Sequence, residues 1–231
     1  MPIDGGGVDA ACELAGGTPW AEPSSAWTSL AFVVAGAAIA VAALRARRGT
    51  PSDTPRPDGA APTRLRVAFG ILVALIGAGS VIQHGPSPSW NPVVHDPPLL
   101  GALALVAADA VADLTGRRVR TWWWLAPTLL GVPLAAASPT ASTAAQVVAA
   151  AAVGASALRA WRRPAVRRRT VAALALLAVG GGVGTLSRPG WPLCDAGGPL
   201  GATLQGHAVW HVLAATALWL LAPTLGTRTT S

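Results

Sequence analysis

Residues 204–223 read LQGHAVWHVLAATALWLLAP, with no arginine, lysine, aspartate or glutamate among them. As one α-helix, a stretch of this length crosses the ~30 Å hydrocarbon layer of a bilayer. The same stretch carries two histidines, His207 and His211. At 3.6 residues per turn, positions i and i+4 lie one above the other on a single helical face. Two questions follow: whether the rest of the chain is also built to span a membrane, and what the histidine face meets.

The composition answers the first. Of 231 residues, 52% are hydrophobic and 12% are charged, against roughly 25% charged in an average soluble domain. Seven apolar stretches approach spanning length, at residues 26–44, 65–83, 98–114, 122–137, 144–160, 171–186 and 203–223. The pattern predicts an all-α membrane protein, a seven-transmembrane-helix bundle. All 17 basic residues are arginine. With the N-terminus outside, the inner loops hold Arg45, Arg47, Arg48, Arg56, Arg64 and Arg66, then Arg117, Arg118 and Arg120, then Arg159, Arg162, Arg163, Arg167, Arg168 and Arg169, with Arg228 on the tail. Only Arg188 falls outside, which is the asymmetry of the positive-inside rule and places the C-terminus inside. Arginines placed in this way mark topology, so no nucleic-acid surface is expected. The expected organisation is an outer segment at 1–25, a helical domain at 26–225 with an inner linker at 47–64, and an inner tail at 226–231. The linker is rich in Pro, Asp, Ser and Thr. The first residues lack a basic region leading into an apolar run and are read as a lead-in, not a cleavable signal.

In this topology His84, at the end of the second stretch, His207 and His211 all lie at outer helix ends, at similar depth. Ser80 shares a face with His84 at i, i+4, and Asp96 opens the third helix after a short outer loop. A single histidine near a membrane interface is more often a packing residue than a ligand. Three of the chain's four histidines in one layer reverse that preference and point to a divalent metal. Neutral imidazole is a favoured zinc ligand, and three protein ligands leave a fourth position for a water whose pKa falls to about 7. Asp96 could then take and return a proton, and Ser80 could orient the water or hydrogen-bond a developing oxyanion. His95 is read as a loop residue. Helical bis-histidine spacing also occurs in haem proteins, which leaves haem as a minor alternative. Asp109 and Asp113 lie ~20 Å and more below Asp96 at 1.5 Å per residue. They are too far away for the same chemistry. Asp113 is expected to approach the inner arginines and Asp109 to make a buried polar contact. The run Trp122, Trp123, Trp124 reads as an interfacial anchor.

The two cysteines, Cys12 and Cys194, both fall outside, where a disulfide is favoured over free thiols. Asp4, Asp9, Glu13 and Glu22 crowd the N-terminal segment. That cluster is either a solvated acidic lead-in or a hard-cation site of the kind calcium takes.

Several short motifs now fall in order. CE…AEP (Cys12, Glu13, Ala21, Glu22, Pro23) precedes the first helix, and GxGSxxxH (Gly77, Gly79, Ser80, His84) ends the second. An aspartate opens the third helix, and LCDAGGPLGATLQGHAVWH leads into the last. From about residue 9 to about residue 220 the chain resembles the alkaline ceramidases and their bacterial relatives, within a superfamily of seven-helix membrane hydrolases that includes the adiponectin-type receptors. The resemblance implies a zinc-dependent amidase acting on a ceramide-like lipid drawn from the bilayer, in a bacterial plasma membrane, with its active site near the outer face. It maps zinc onto His84, His207 and His211, and the family's serine and aspartate onto Ser80 and Asp96. It maps calcium onto Glu13 and Glu22, and a disulfide onto Cys12 and Cys194. The chain departs from the pattern at Ala10, where an acidic residue is usual, and at Ser25 and Ser29, where asparagines are usual. A non-catalytic receptor or lipid-binding protein with a structural zinc site is the alternative.

Overall fold

The computed structural model describes residues 12–13, 19–48, 60–194 and 205–228. All regular structure among them is helical: α1 (Pro23–Thr28), α2 (Leu30–Arg48), α3 (Ala60–His84), α4 (Pro92–Leu114), α5 (Trp122–Ala137), α6 (Pro139–Arg162), α7 (Pro164–Leu186) and α8 (Gly206–Leu221), closed by a 3₁₀ turn at Ala222–Thr224. α1 and α2 follow one another as a single apolar rod, Pro23–Arg48. Six rods are long and apolar enough to cross a membrane, the pattern of an integral membrane protein. The stretch at 122–137 differs. With 16 residues, α5 extends only ~24 Å at 1.5 Å per residue.

Helix boundaries follow local chemistry. Proline stands at the first helical position of α4, α6 and α7, where its missing N–H breaks no bond and its fixed φ suits the helix. The Ser138 side chain caps α6 by accepting from Ala141 N at 3.2 Å. Arg45, Arg47 and Arg48 lie in the last turn of α2, where cations complement the exposed carbonyls.

Several boundaries differ from expectation: α6 begins at Pro139 and α7 at Pro164, five and seven positions before the expected spans, which puts Arg167, Arg168 and Arg169 inside a helix. α2 extends to Arg48 and α3 begins at Ala60, so both helices run into the expected linker, whose middle, 49–59, lies outside the described residues. α4 begins at Pro92, six positions before the expected span, which puts His95 and Asp96 inside a helix and corrects the loop reading of His95. Pro92 starts that helix. Pro97 and Pro98, which would break a helix centre, fall where the carbonyls they leave free belong to its first turn.

Consecutive rods pack antiparallel. A Cβ at Gly70 on α3 would sit 2.7 Å from Gly36 O and 2.9 Å from Ala40 N on α2, so only glycine lets these backbones approach so closely. Gly79 does the same at the other end of α3, where a Cβ would lie 2.7 Å from both Val94 O and His95 Cα on α4. Pro98 deprives Val94 O of its usual helical donor, and that carbonyl packs against Gly79. α4 is the axis of the bundle, with 72% of its apolar window buried. α6 and α7 bury only 17% and 22% of theirs and turn Val147, Val148, Trp161 and Val179 outward, as lipid-facing helices do. The core proper joins Phe32, Phe69, Val73, Leu105 and Ala214 from α2, α3, α4 and α8.

Candidate metal centre

One end of the bundle collects the histidines and the other the arginines. At the first, a disulfide joins Cys12 to Cys194. Cys12 N also donates to Ser187 O at 3.3 Å, which holds Cys12 beside the end of α7. The segment before α1 is tied to α3 by Ala21 N to Gly85 O at 2.9 Å and Glu22 N to His84 O at 2.8 Å. These contacts bring Glu22 over the C-terminus of α3 and place α1 against α8.

His84, His207 and His211 meet beneath this cover. One ligand nitrogen from each lies within 4.8 Å of the others, the arrangement of a group able to hold a metal ion. Ring centroids are 4.9 Å apart for His84 with His207, 4.9 Å for His84 with His211, and 4.7 Å for His207 with His211. A tetrahedral zinc with bonds of ~2.05 Å needs ligand nitrogens ~3.4 Å apart. The three rings therefore fit zinc after modest rotation inward. They do not suit haem, because the His207 and His211 rings leave no gap for a macrocycle between them.

The surrounding hydrogen bonds decide which nitrogens point inward. His211 Nδ1 lies 3.0 Å from Ser25 O. A carbonyl oxygen only accepts, so Nδ1 carries the proton and Nε2 keeps the lone pair that a metal needs. His84 Nδ1 pairs with the carboxylate of Glu22, which fixes the same tautomer. Both histidines are almost fully buried. Phe32 packs edge-on against His211, with centroids 5.8 Å apart.

Ser80 belongs to this shell, with one proton already assigned. Ser29 Oγ donates to Ser25 O at 2.7 Å and lies 2.8 Å from Ser80 Oγ. With its own hydrogen spent on the carbonyl, Ser29 accepts from Ser80. The Ser80 hydroxyl therefore offers lone pairs, and of its two expected roles this arrangement suits orienting a water and leaves no hydrogen for an oxyanion.

Asp96 lies on α4 with its carboxylate held by two neighbours. Ser142 Oγ donates to Oδ2 at 2.7 Å, and His95 Nδ1 lies 2.9 Å from Oδ1. Its hydrogen bonds thus reach α6 and its own helix, and none to a triad histidine is present among the described residues. Glu13 and Glu22, expected together as calcium ligands, are engaged separately. The Glu13 carboxylate accepts from Ser24 N, from Ser25 N at 3.2 Å and from Ser25 Oγ at 3.0 Å, and so caps the start of α1. Glu22 serves His84. Asp4 and Asp9 lie outside the described residues.

No family model matches the chain, and no curated protein matches it.

At the arginine end, Asp109 and Asp113 share one partner. Arg159 donates through Nη1 to Asp109 Oδ2 and through Nε to Asp113 Oδ2, both at 2.8 Å, and through Nη2 to Thr227 O at 2.7 Å. Gly226 N adds a bond to Asp109 Oδ1 at 3.1 Å. This is structural pairing remote from the histidines. It names the partner of Asp109 and realises the expected approach of Asp113 to the arginines.

The contacts of several contributors escaped the sequence reading. Ser25, Ser29 and Thr28 stood in an apolar stretch as small polar residues, and serine and threonine in membrane helices usually bond back to the preceding turn. Ser29 does so and serves His211 as well, its Oγ 3.3 Å from Nδ1. The signal was the Ser25–Ser29 spacing of i, i+4, the same spacing that marked the histidines. For Arg159 the signal was a lone arginine inside the apolar stretch 144–160, since such a charge demands a buried partner.

Proposed function

We propose that the protein is a zinc-dependent, membrane-embedded hydrolase that cleaves the amide bond of a ceramide-like N-acyl lipid to a fatty acid and an amine. The observation that carries this reading is the buried group of three histidines, two of them held by Nδ1 partners that leave Nε2 for a metal. Zinc bound there would supply a water acidic enough to ionise near neutral pH and a Lewis acid for the scissile carbonyl.

The chain's own residues supply the remainder of the mechanism. Glu22 and the Ser25 carbonyl keep His84 and His211 in the ligating tautomer. Ser80, donating to Ser29, presents lone pairs that orient a water. Asp96, polarised by Ser142 and His95, takes the proton in this proposal and returns it to the leaving amine. The lipid arrives sideways through a cavity of about 370 Å³ between α1 and α8, lined by Ser24, Thr28, Ala208, Val209 and Val212. Thr28 Oγ1 lies 3.2 Å from His211 Nδ1, so this cavity abuts the histidine group. In this proposal α5 counts as the seventh span, the arginine asymmetry puts the N-terminus and the histidine end outside, and the family resemblance implies a bacterial plasma membrane. This proposal matches the ceramidase-like resemblance of the sequence. Calcium at Glu13 and Glu22 would compete with the start of α1 for the first carboxylate and with His84 for the second, so the proposal rests on the histidine site alone.

The bonding of Asp96 to Ser142 and His95 favours one further reading, a receptor-type protein whose zinc is structural. Metal content and hydrolysis distinguish the two. Purified protein is expected to carry one zinc, lost in His207→Ala and His211→Ala, and to release fatty acid from N-acyl lipids. Asp96→Asn should retain zinc and lose release. Zinc without Asp96-dependent release would establish the structural reading, and zinc-free protein would defeat both.

A further inference from the structure

A groove of about 230 Å³ opens at the arginine-rich end, bounded by α2, α3, α7 and α8. Its wall is apolar, with Ile39, Ala42, Leu220 and Trp219, and its rim carries Arg66 and Arg169. Trp219 is 51% exposed, the posture of an interfacial indole with one face free. Among the described residues no carboxylate lines the groove. Among the described residues neither Arg66 nor Arg169 forms an ion pair, and the nearby carboxylates of Asp109 and Asp113 are taken by Arg159, Arg163, Arg228 and Gly226 N.

Arg66 is fixed in place. Its Nε donates to Leu225 O at 3.0 Å and its Nη2 to Pro223 O at 2.8 Å. A guanidinium has five N–H donors. Three remain, on an edge held by the turn that closes α8, while Arg169 is exposed and free to converge on the same point. A preorganised guanidinium, a second mobile one and an apolar wall running away from them match a phosphodiester headgroup with an attached chain. A free anion would use the two arginines but not the wall.

We propose that this groove binds one anionic phospholipid of the leaflet at the arginine-rich end. Its phosphate sits between Arg66 and Arg169 and one acyl chain lies against Ile39, Ala42, Leu220 and Trp219. Basic pockets between membrane helices on the cytoplasmic side are where such headgroups are held, and the arginine asymmetry assigns this end to that side. The site lies at the opposite end of the bundle from the histidines and does not depend on the proposed hydrolysis.

The test counts lipids retained by the full chain in native mass spectrometry, from bilayer discs of phosphatidylcholine with graded phosphatidylglycerol. The parent is expected to retain one phosphatidylglycerol in preference to phosphatidylcholine, undisturbed by excess inorganic phosphate. Arg169→Gln, at an exposed position that no hydrogen bond or ion pair among the described residues uses, should need about fivefold more phosphatidylglycerol for the same occupancy. Ala42→Trp, which fills the groove from an exposed position without altering charge, should also lower retention. Arg118→Gln, on another loop of the same end, should behave as the parent. Parent-like retention in Arg169→Gln or Ala42→Trp would overturn the proposal. So would an equal loss in Arg118→Gln, which would indicate diffuse surface charge, or displacement by inorganic phosphate, which would indicate a free-anion site.

Discussion

Removing the Glu22 carboxylate isolates the contribution of one hydrogen bond to metal binding. In Glu22→Ala all three histidines remain, and so does the backbone bond from residue 22 to His84 O, so the N-terminal segment stays closed over α3. What disappears is the acceptor that holds His84 Nδ1–H and keeps Nε2 facing His207 and His211. The side chains of His84 and Glu22 are 4% and 14% exposed, so water cannot easily replace the lost partner. Loss of such an outer partner lowers metal affinity about ten- to hundredfold. At about 1.4 kcal/mol per tenfold, this corresponds to roughly 1.4–2.8 kcal/mol. Glu22→Gln keeps an oxygen acceptor without the charge and should fall between parent and alanine variant, while His84→Ala, which removes one of the three candidate ligands, should fall well below both. The assay is competition for zinc against a chromophoric chelator in detergent, read as a dissociation constant, with circular dichroism to confirm the helices. Parent-like zinc affinity in a folded Glu22→Ala protein would refute the argument that this carboxylate orients a ligand.

Other perturbations test the remaining joints. Arg159→Met leaves the buried carboxylates of Asp109 and Asp113 without their main partner and should destabilise by about 3–5 kcal/mol. The triple variant that adds Asp109→Asn and Asp113→Asn should recover much of that loss, and thermal unfolding in detergent compares them. Gly79→Ala forces a Cβ against backbone on α4 and should lower the melting temperature by an amount equivalent to about 1–3 kcal/mol; an unchanged melting temperature would contradict the close approach of α3 and α4. Without reductant the chain should take up no thiol alkylator, whereas Cys12→Ser should take up one equivalent at Cys194, counted by intact mass. Ser80→Ala should retain zinc while lowering the proposed hydrolysis, a split read by metal analysis beside fatty-acid release.

Most of the membrane character was legible in the order of residues, because spanning helices satisfy their own backbone and need only length and apolarity. The six long rods lie where the apolar stretches predict them. α4 shows where this reading was incomplete. Its first turn, from Pro92 through His95 and Asp96, is polar and proline-rich, so hydropathy begins the span too late, although Pro92 itself is a helix-start signal. The short α5 shows a second limit, since composition marks an apolar stretch without saying whether it reaches both sides of a bilayer.

The candidate centre divides along the same line. Helical periodicity alone put His207 and His211 on one face, and loop parity put His84 in their layer. Sequence determined this much because both rules act within one helix or one connection. Sequence spacing does not show that His84 pairs with Glu22, that Ser25 O fixes the tautomer of His211, that the Ser80 proton goes to Ser29, or that Asp96 is bonded to Ser142. Each of these contacts joins parts of the chain far apart in sequence, and their partners are set by how the helices and the segment before α1 settle against one another, as α2, α3 and α4 do at Gly36, Gly70 and Gly79. Periodicity selects the face a helix presents. Packing selects what that face touches, and the chemistry of this site depends on those contacts.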